Sequence, residues 1–210
     1  MTIAFSGRPV DRDVRLCSIA RERRDDARVR WFGLVVAPLV IGTVVLVGIG
    51  LAFGVDGGVF AVTAVWVPMV CVGTASRVIP IRLPRAYHRL RPFEASGRVY
   101  ELLGVRVVKR LLRRGPIAWF NPGLHLPRDP TPAAVATLEG RMCAAEASHT
   151  SLAVVAFVVA GHAVARGWWT AAGWSVAANL VMNVAPAALQ RYNRILLRRR
   201  HGATPRTGVS

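Results

Sequence analysis

Four apolar stretches, each about twenty residues long and nearly free of charge, constrain this chain more than any other feature. They run from about Trp31 to Phe53, Val59 to Pro80, Cys143 to Ala165 and Trp168 to Leu189. A helix rises ~1.5 Å per residue, so about twenty residues cross a hydrocarbon core of ~30 Å. The sequences "GVDGG" at 54–58 and "RGWW" at 166–169 read as the tight turns within each pair. Pro68 falls inside the second stretch, which a membrane helix tolerates when neighbours satisfy the carbonyl it frees. The expected fold is all-α, an integral membrane protein with about four transmembrane helices plus a basic amphipathic interfacial segment.

Between the apolar stretches lies the charge. A composition of 53% hydrophobic residues with a net charge of +17 would suggest nucleic-acid binding in a soluble protein. Here the two properties are segregated along the chain, so the expected partners are membrane lipids and anionic headgroups, with no nucleic acid. The N-terminal arm carries 8 Arg, the stretch from Arg77 to Arg141 carries 13 basic residues and the tail 6, which leaves only Arg166 on the other side. By the positive-inside rule both termini are expected in the cytoplasm, with the bundle in the inner membrane. The organisation is then a cytoplasmic arm (1–30), helices 1 and 2 (31–80), a cytoplasmic or interfacial loop (81–142), helices 3 and 4 (143–190) and a basic tail (191–210). A cleaved signal peptide is not expected, because about thirty polar residues precede the first apolar run. Cys17, Cys71 and Cys143 are too few and too far apart for a disulfide framework or a zinc knuckle.

The loop contains "EASGRVYELLGVRVVKRLLRRG", whose Val99, Leu102, Val107 and Val108 alternate with basic residues at helical spacing. Such a segment lies in the headgroup plane with Arg106, Lys109, Arg110, Arg113 and Arg114 near phosphates. The Pro- and Gly-rich "GPIAWFNPGLHLPRDPTP" that follows is expected to be irregular, and Thr131 with Pro132 to open a new helix.

Ionisable and amide side chains gather at the cytoplasmic ends of the last two spans. Glu139, Glu146 and His149 fall within ~80° of one another on one helix face at ~100° per residue. Glu146 and His149 are at i, i+3, so the carboxylate can orient the imidazole as a general base. The structural alternative is a polar pair bonding neighbouring helices or the loop. Asn179, Asn183, Gln190 and Asn193 form a second stripe, interrupted by Pro186, and read either as interhelical hydrogen bonding or as a polar groove. A single Glu-x-x-His does not make a di-iron site, which needs two copies, and no metal site is expected. His88 and His125 sit in the loop at no metal-ligand spacing, and a structural role suits His162. No nucleophile elbow, Walker loop or dinucleotide fingerprint is present.

Three blocks, "RPFEASGRVYELLGVRVVKRLLRRG", "EGRMCAAEASHT" and "NVAPAALQRYNR", occur in an order that resembles the glycosyl-4,4'-diaponeurosporenoate acyltransferase family. The resemblance runs from about Arg91 to Arg194, and the first 80 residues share only their hydrophobicity. It implies transfer of a fatty acyl group from an activated donor to a hydroxyl of a glycolipid at the cytoplasmic membrane face. It also singles out Glu94, Arg98, Tyr100, Lys109, Glu146, His149, Asn183, Arg191, Tyr192, Asn193 and Arg194. The loop between Arg114 and Thr131 departs from the family pattern, which leaves the acceptor open.

These readings combine into an expected mechanism. His149, oriented by Glu146, deprotonates the acceptor hydroxyl, and Tyr192 or Asn193 donates to the oxyanion. Arg191, Arg194 and Lys109 hold donor phosphates or an anionic headgroup. Arg98, Glu94, Tyr100, Glu139, Asn183 and Asn179 complete the substrate-binding set. No bound cofactor is expected; acyl-CoA or another acyl donor serves as co-substrate. The alternative is a non-catalytic membrane subunit or adaptor that binds anionic lipid or a cytoplasmic partner. An enzyme calls for a cavity that joins Glu146 and His149 to Arg191 and Arg194 and opens laterally to lipid, and an adaptor for groups that are paired and closed. Oligomeric state stays open on either reading.

Overall fold

The structure, a computed structural model, describes residues 29–102, 104–114 and 130–202, with side chains of 111–114 excepted. The expectations for the N-terminal arm, the Pro-rich loop at 115–129 and the last eight residues lie outside these. The helices are α1 (Val29–Phe53), α2 (Gly58–Ala75), α3 (Arg98–Leu102), α4 (Val105–Arg114), α5 (Pro132–Ala165) and α6 (Trp169–His201). A 3-10 turn spans Pro92–Glu94, and no strand occurs among the described residues. Four of these helices, α1, α2, α5 and α6, are long and apolar enough to cross a membrane.

Their surfaces agree with lipid as the solvent. On α1, Leu39, Ile41, Val44 and Leu51 are all exposed, and Leu51 reaches 84%. Such a continuous apolar face is unfavourable in water and costs nothing against acyl chains. The helices instead meet through small residues. Ala61 of α2 packs with Ala163 of α5 and Ala171 and Ala172 of α6, and Ala156 and Ala178 pack with Val65. Close backbone approach of this kind is the usual basis of helix association in lipid. α1 packs on α2, α2 lies against α6, and α6 lies against α5, so α1 is peripheral.

Helix boundaries differ from those expected at the polar ends. Thr131 caps α5 by accepting from Ala134 N at 3.2 Å, with Pro132 in its first turn, as the sequence suggests. α5 then runs unbroken into the third span, also as expected, whereas α6 continues twelve residues past Leu189. Hydropathy marks where lipid begins, whereas helical hydrogen bonding continues as long as a packed apolar face supports it. In α6 that face is Leu189, Tyr192, Ile195 and Leu197, all buried. Residues 191–201 are therefore part of the bundle rather than a basic tail. α2 ends early, at Ala75, and the chain leaves it through turns at Ser76–Val78.

Two prolines shape the long helices. Pro186 cannot donate to the carbonyl of Met182, and its ring crowds that carbonyl. The preceding turn, Leu180–Val184, widens to a π-helix, and the same happens at Phe32–Val36 before Pro38.

At Gly42 an added Cβ would lie 2.7 Å from Val67 Cγ1 and 2.9 Å from Cys71 Sγ, while at Gly48 it would meet nothing within 4 Å. Gly42→Ala is expected to lower stability in detergent by about 1–3 kcal/mol through overpacking of α1 on α2. Gly48→Ala should leave the thermal midpoint unchanged or raised. Equal midpoints for the two variants would show that this helix contact is not tight.

Candidate functional site

α5 and α6 carry their charged residues to the same level. From Glu146 to Ala165 is about 29 Å, and from Trp169 to Arg191 about 33 Å, at ~1.5 Å per residue. Both distances match the hydrocarbon thickness, so Glu146 and Arg191 stand about one hydrocarbon thickness from the turn that joins the two helices. The chain between α2 and α3 returns along this level, and an ionic network binds all three segments.

Glu146 is fully buried and receives two arginines of α6. Its Oε1 accepts from Arg191 Nη1 at 2.8 Å, and its Oε2 from Arg194 Nη1 at 2.6 Å. Arg191 also donates through Nε to Glu94 Oε1 at 2.8 Å, and to the carbonyls of Tyr87 and Arg89, each at 2.9 Å. Arg194, 1% exposed, donates to the carbonyl of His88 at 2.7 Å. One turn further on, Arg198 pairs with Glu139. Arg191, Arg194 and Arg198 at i, i+3 and i+7 form one stripe, matched by three carboxylates from the loop and α5.

Glu94 sits at the end of the 3-10 turn and accepts from Tyr100 Oη and from the Arg91 amide at 2.7 Å. Burial opposes its charge, but the bonds from Arg191, the Arg91 amide and Tyr100 outweigh it and hold the carboxyl at about 2. Tyr100 moves the other way, because burial and the adjacent Glu94 charge both disfavour a phenolate.

Between α5 and α6, beside this network, runs an open groove of about 270 Å³. Ala153, Phe157, Val184, Ala187 and Ala188 form its apolar walls, and Val154 at its edge is 58% exposed. Its polar end is made by Arg191, Tyr87 and Thr150, with the two hydroxyls 2.7 Å apart.

The structure brings together Glu94, Tyr100, Glu139, Glu146, Arg191 and Arg194, but in roles that correct the expected ones. Arg191 and Arg194 are engaged by buried carboxylates and backbone carbonyls, and Arg194 Nε, which has no partner among the described residues, is itself buried, so these guanidinium groups are committed within the protein rather than presented to a phosphate. Glu146 does not orient His149: its side chain turns to Arg191 and Arg194, and His149 Nδ1 makes no hydrogen bond to it. His149 lies instead against Asn183 and the backbone of Met182, the carbonyl that Pro186 leaves without its helical donor, and its Nδ1 has no hydrogen-bond partner among the described residues. It does not line the groove. Asn183 donates to Asn179, which donates to the carbonyl of Ala153 at 3.0 Å, so this amide pair joins α6 to α5.

Tyr192 and Asn193 point to the other side of α6. Tyr192 Oη donates to Glu101 of α3, and Asn193 accepts from Lys109 of α4 at 3.2 Å. Gly97, at φ +74°, lets the chain pass the Tyr192 ring, where a Cβ would lie 3.1 Å from Cε2. These residues dock the amphipathic segment on the bundle and do not reach the groove. Arg98 is exposed on α3.

The sequence reading missed Tyr87, His88 and Thr150. His88 Nδ1 is buried and 3.9 Å from Glu146 Oε2, so the imidazole nearest to that carboxylate comes from the loop. Burial lowers the His88 pKa, and the Glu146 charge offsets this only in part. A family model described as glycosyl-4,4'-diaponeurosporenoate acyltransferase matches residues 83–201. The match starts eight residues before Arg91 and takes in Tyr87 and His88, a signal that a reading from Arg91 onward passes over. No curated protein and no solved structure matches the chain.

Breaking one partner of a buried pair leaves a bare charge, at a cost of about 3–5 kcal/mol. Arg194→Leu should therefore destabilise the protein by that order in detergent, and the Glu146→Leu/Arg194→Leu double variant by distinctly less. A double variant as unstable as the sum of the singles would argue against the pairing. Glu94 makes a further expectation. Its folded pKa lies below the ordinary 4.5, so it stabilises the fold above pH 4.5, and this contribution is lost as pH falls from 4.5 to about 2. Glu94→Gln should remove up to about 3 kcal/mol at neutral pH and flatten the stability curve across that window. An unchanged acid-unfolding profile would count against this assignment.

Proposed function

This chain belongs to the glycosyl-4,4'-diaponeurosporenoate acyltransferase family, and on that premise we propose that it transfers a fatty acyl group from an activated donor to a hydroxyl of a glycolipid. We place the reaction at the cytoplasmic face of the inner membrane, both termini lying on that face. The side is supported by the distribution of basic residues, of which only Arg166 falls opposite. The depth is supported by the level at which Glu146 and Arg191 stand.

The observation that carries the reading is the groove. A fatty chain needs an apolar trough reachable from lipid, and its carbonyl needs polar groups at one end. The trough between α5 and α6 has both, with Arg191, Tyr87 and Thr150 at its head. In this reading the acyl chain lies along Ala153, Phe157 and Ala187, and its carbonyl stops at the hydroxyl pair. The donor, an acyl-CoA or another thioester, brings phosphates that the internally paired Arg191 and Arg194 cannot serve. Arg82, Arg85, Arg89 and Arg91 are exposed on the adjoining segment and take that role. The paired ion network, and a groove that touches Arg191 but not Glu146, His149 or Arg194, favour the rival reading, an adaptor that binds anionic lipid, but an adaptor has no need of the groove.

The test is transfer of labelled acyl chains from acyl-CoA to membrane glycolipids by purified protein in proteoliposomes. The wild type should form labelled ester. Ala187→Phe, which fills the trough from α6, should lower turnover at least tenfold for long chains and less for short ones, with the thermal midpoint kept. Absence of ester with every donor and acceptor offered to folded protein would leave the adaptor reading.

A further inference from the structure

We propose that His88, held beside Glu146, is the general base that takes the proton from the attacking hydroxyl. This rests on the acyl-transfer reading above and assigns its missing base. A hydroxyl attacks a thioester carbonyl efficiently only when a group of suitable basicity accepts its proton as the bond forms. Glu94 and Glu146 are unsuited, because arginines occupy their oxygens. His162 lies about 20 Å further along α5 from His149 at ~1.5 Å per residue, and is stacked edge-on against Trp168. His149 packs against Asn183 and Met182 without a carboxylate.

His88 has what each of these lacks. Its backbone is fixed by Arg194, which donates to its carbonyl at 2.7 Å. Its Nδ1 is buried, has no hydrogen-bond partner among the described residues, and stands 3.9 Å from Glu146 Oε2. That gap is one that catalytic hydrogen bonds in the absence of substrate often show, closing when the complex forms. A proton on Nδ1 directed at Glu146 leaves the lone pair on Nε2. The side chain keeps 15% of its surface exposed, so the ring is not sealed inside the bundle. It also packs edge-on against Tyr87, with ring centroids 5.2 Å apart, and Tyr87 forms the groove's polar head. His88 does not itself line the groove; it stands behind Tyr87, one ring away from where the acyl carbonyl stops.

In the step, the acceptor oxygen bonds to the carbonyl carbon while its proton passes to Nε2. The tetrahedral intermediate then expels the thiolate by breaking the carbon–sulfur bond, and the imidazolium returns the proton to that sulfur. Ester and thiol leave, and His88 is again neutral. The charged groups that face the ring are Glu146 from α5 and Arg191 and Arg194 from α6, with the Tyr87 phenol beside it. Burial and the two arginines favour the neutral ring and Glu146 opposes them, with a net lowering that makes the ring an acceptor at neutral pH.

Wild type, His88→Gln and His149→Gln are compared in proteoliposomes with labelled long-chain acyl-CoA and membrane glycolipids. His88→Gln should lower kcat by about 10²–10⁴-fold with KM little changed, and should lose the acid limb that wild-type kcat shows below pH 6.5. His149→Gln should stay within tenfold of wild type with that limb intact. His88→Ala should regain activity when imidazole is added, a response that a purely structural role would not give. Full activity or a retained acid limb in folded His88→Gln, with the wild type active, would overturn the assignment and leave acyl transfer standing. An inactive wild type would overturn both.

Discussion

The carboxylate of Glu146, shared between Arg191 and Arg194 with no access to solvent, is the interaction that the rest of the structure depends on. A carboxylate at the edge of a hydrocarbon core would ordinarily recruit a proton or water. Here two guanidinium groups from the neighbouring helix satisfy it, and each also donates to the loop, Arg191 to Glu94 and the carbonyls of Tyr87 and Arg89, Arg194 to the carbonyl of His88. Helix association in lipid has little hydrophobic drive, so small-residue packing leaves the register of α5 on α6 weakly specified. A charged ladder of Glu139, Glu146, Arg194 and Arg198 admits only one register. A slip of one turn would strand buried charges, at several kcal/mol for each. The same guanidinium groups bond the carbonyls of Tyr87, His88 and Arg89, and so fix a segment that has no regular structure of its own.

Much of this architecture is legible in the sequence, and the part that is not has a definite physical reason. Apolar length reveals α1, α2 and the lipid-crossing halves of α5 and α6, because one solvent sets one length. Thr131 before Pro132 announces the start of α5, and the two polar faces that meet at the ionic network are visible as stripes. What periodicity cannot supply is the partner of each polar group. Glu146 and His149 are neighbours at i, i+3, yet the carboxylate turns to guanidinium groups 45 and 48 residues away. Charge decides that competition, and the competitor is not in the same helix. The His88 contact is equally non-local, and nothing in the loop around it has a period to read. The break expected at Leu189 fails for a related reason, since a run of arginines reads as a solvated tail when its acids lie elsewhere in the chain.

The division of labour among the arginines follows from burial. Arg191 and Arg194 lie inside and match carboxylates, whereas Arg82, Arg85, Arg89 and Arg91 lie exposed on the surface. Composition treats these as one positive block, and only the packing separates them. An arginine buried against a carboxylate contributes position and no net charge, while an exposed one contributes charge and little position.

This separation bears on the chemistry proposed for the groove. Its head adjoins a network whose charges cancel, so a neutral acyl carbonyl and a neutral hydroxyl can approach without competing with a bare ion for water. Beside Arg191, the polar groups at that head are the hydroxyls of Tyr87 and Thr150, with the His88 imidazole behind Tyr87 on a segment that Arg191 and Arg194 hold through its carbonyls. Stabilisation of developing charge is greatest where dipoles are fixed in advance and water is sparse. The ion pairs thus support such a site indirectly. They hold Tyr87 at the polar end of the groove and His88 directly behind it, in a segment that has no regular secondary structure to do so.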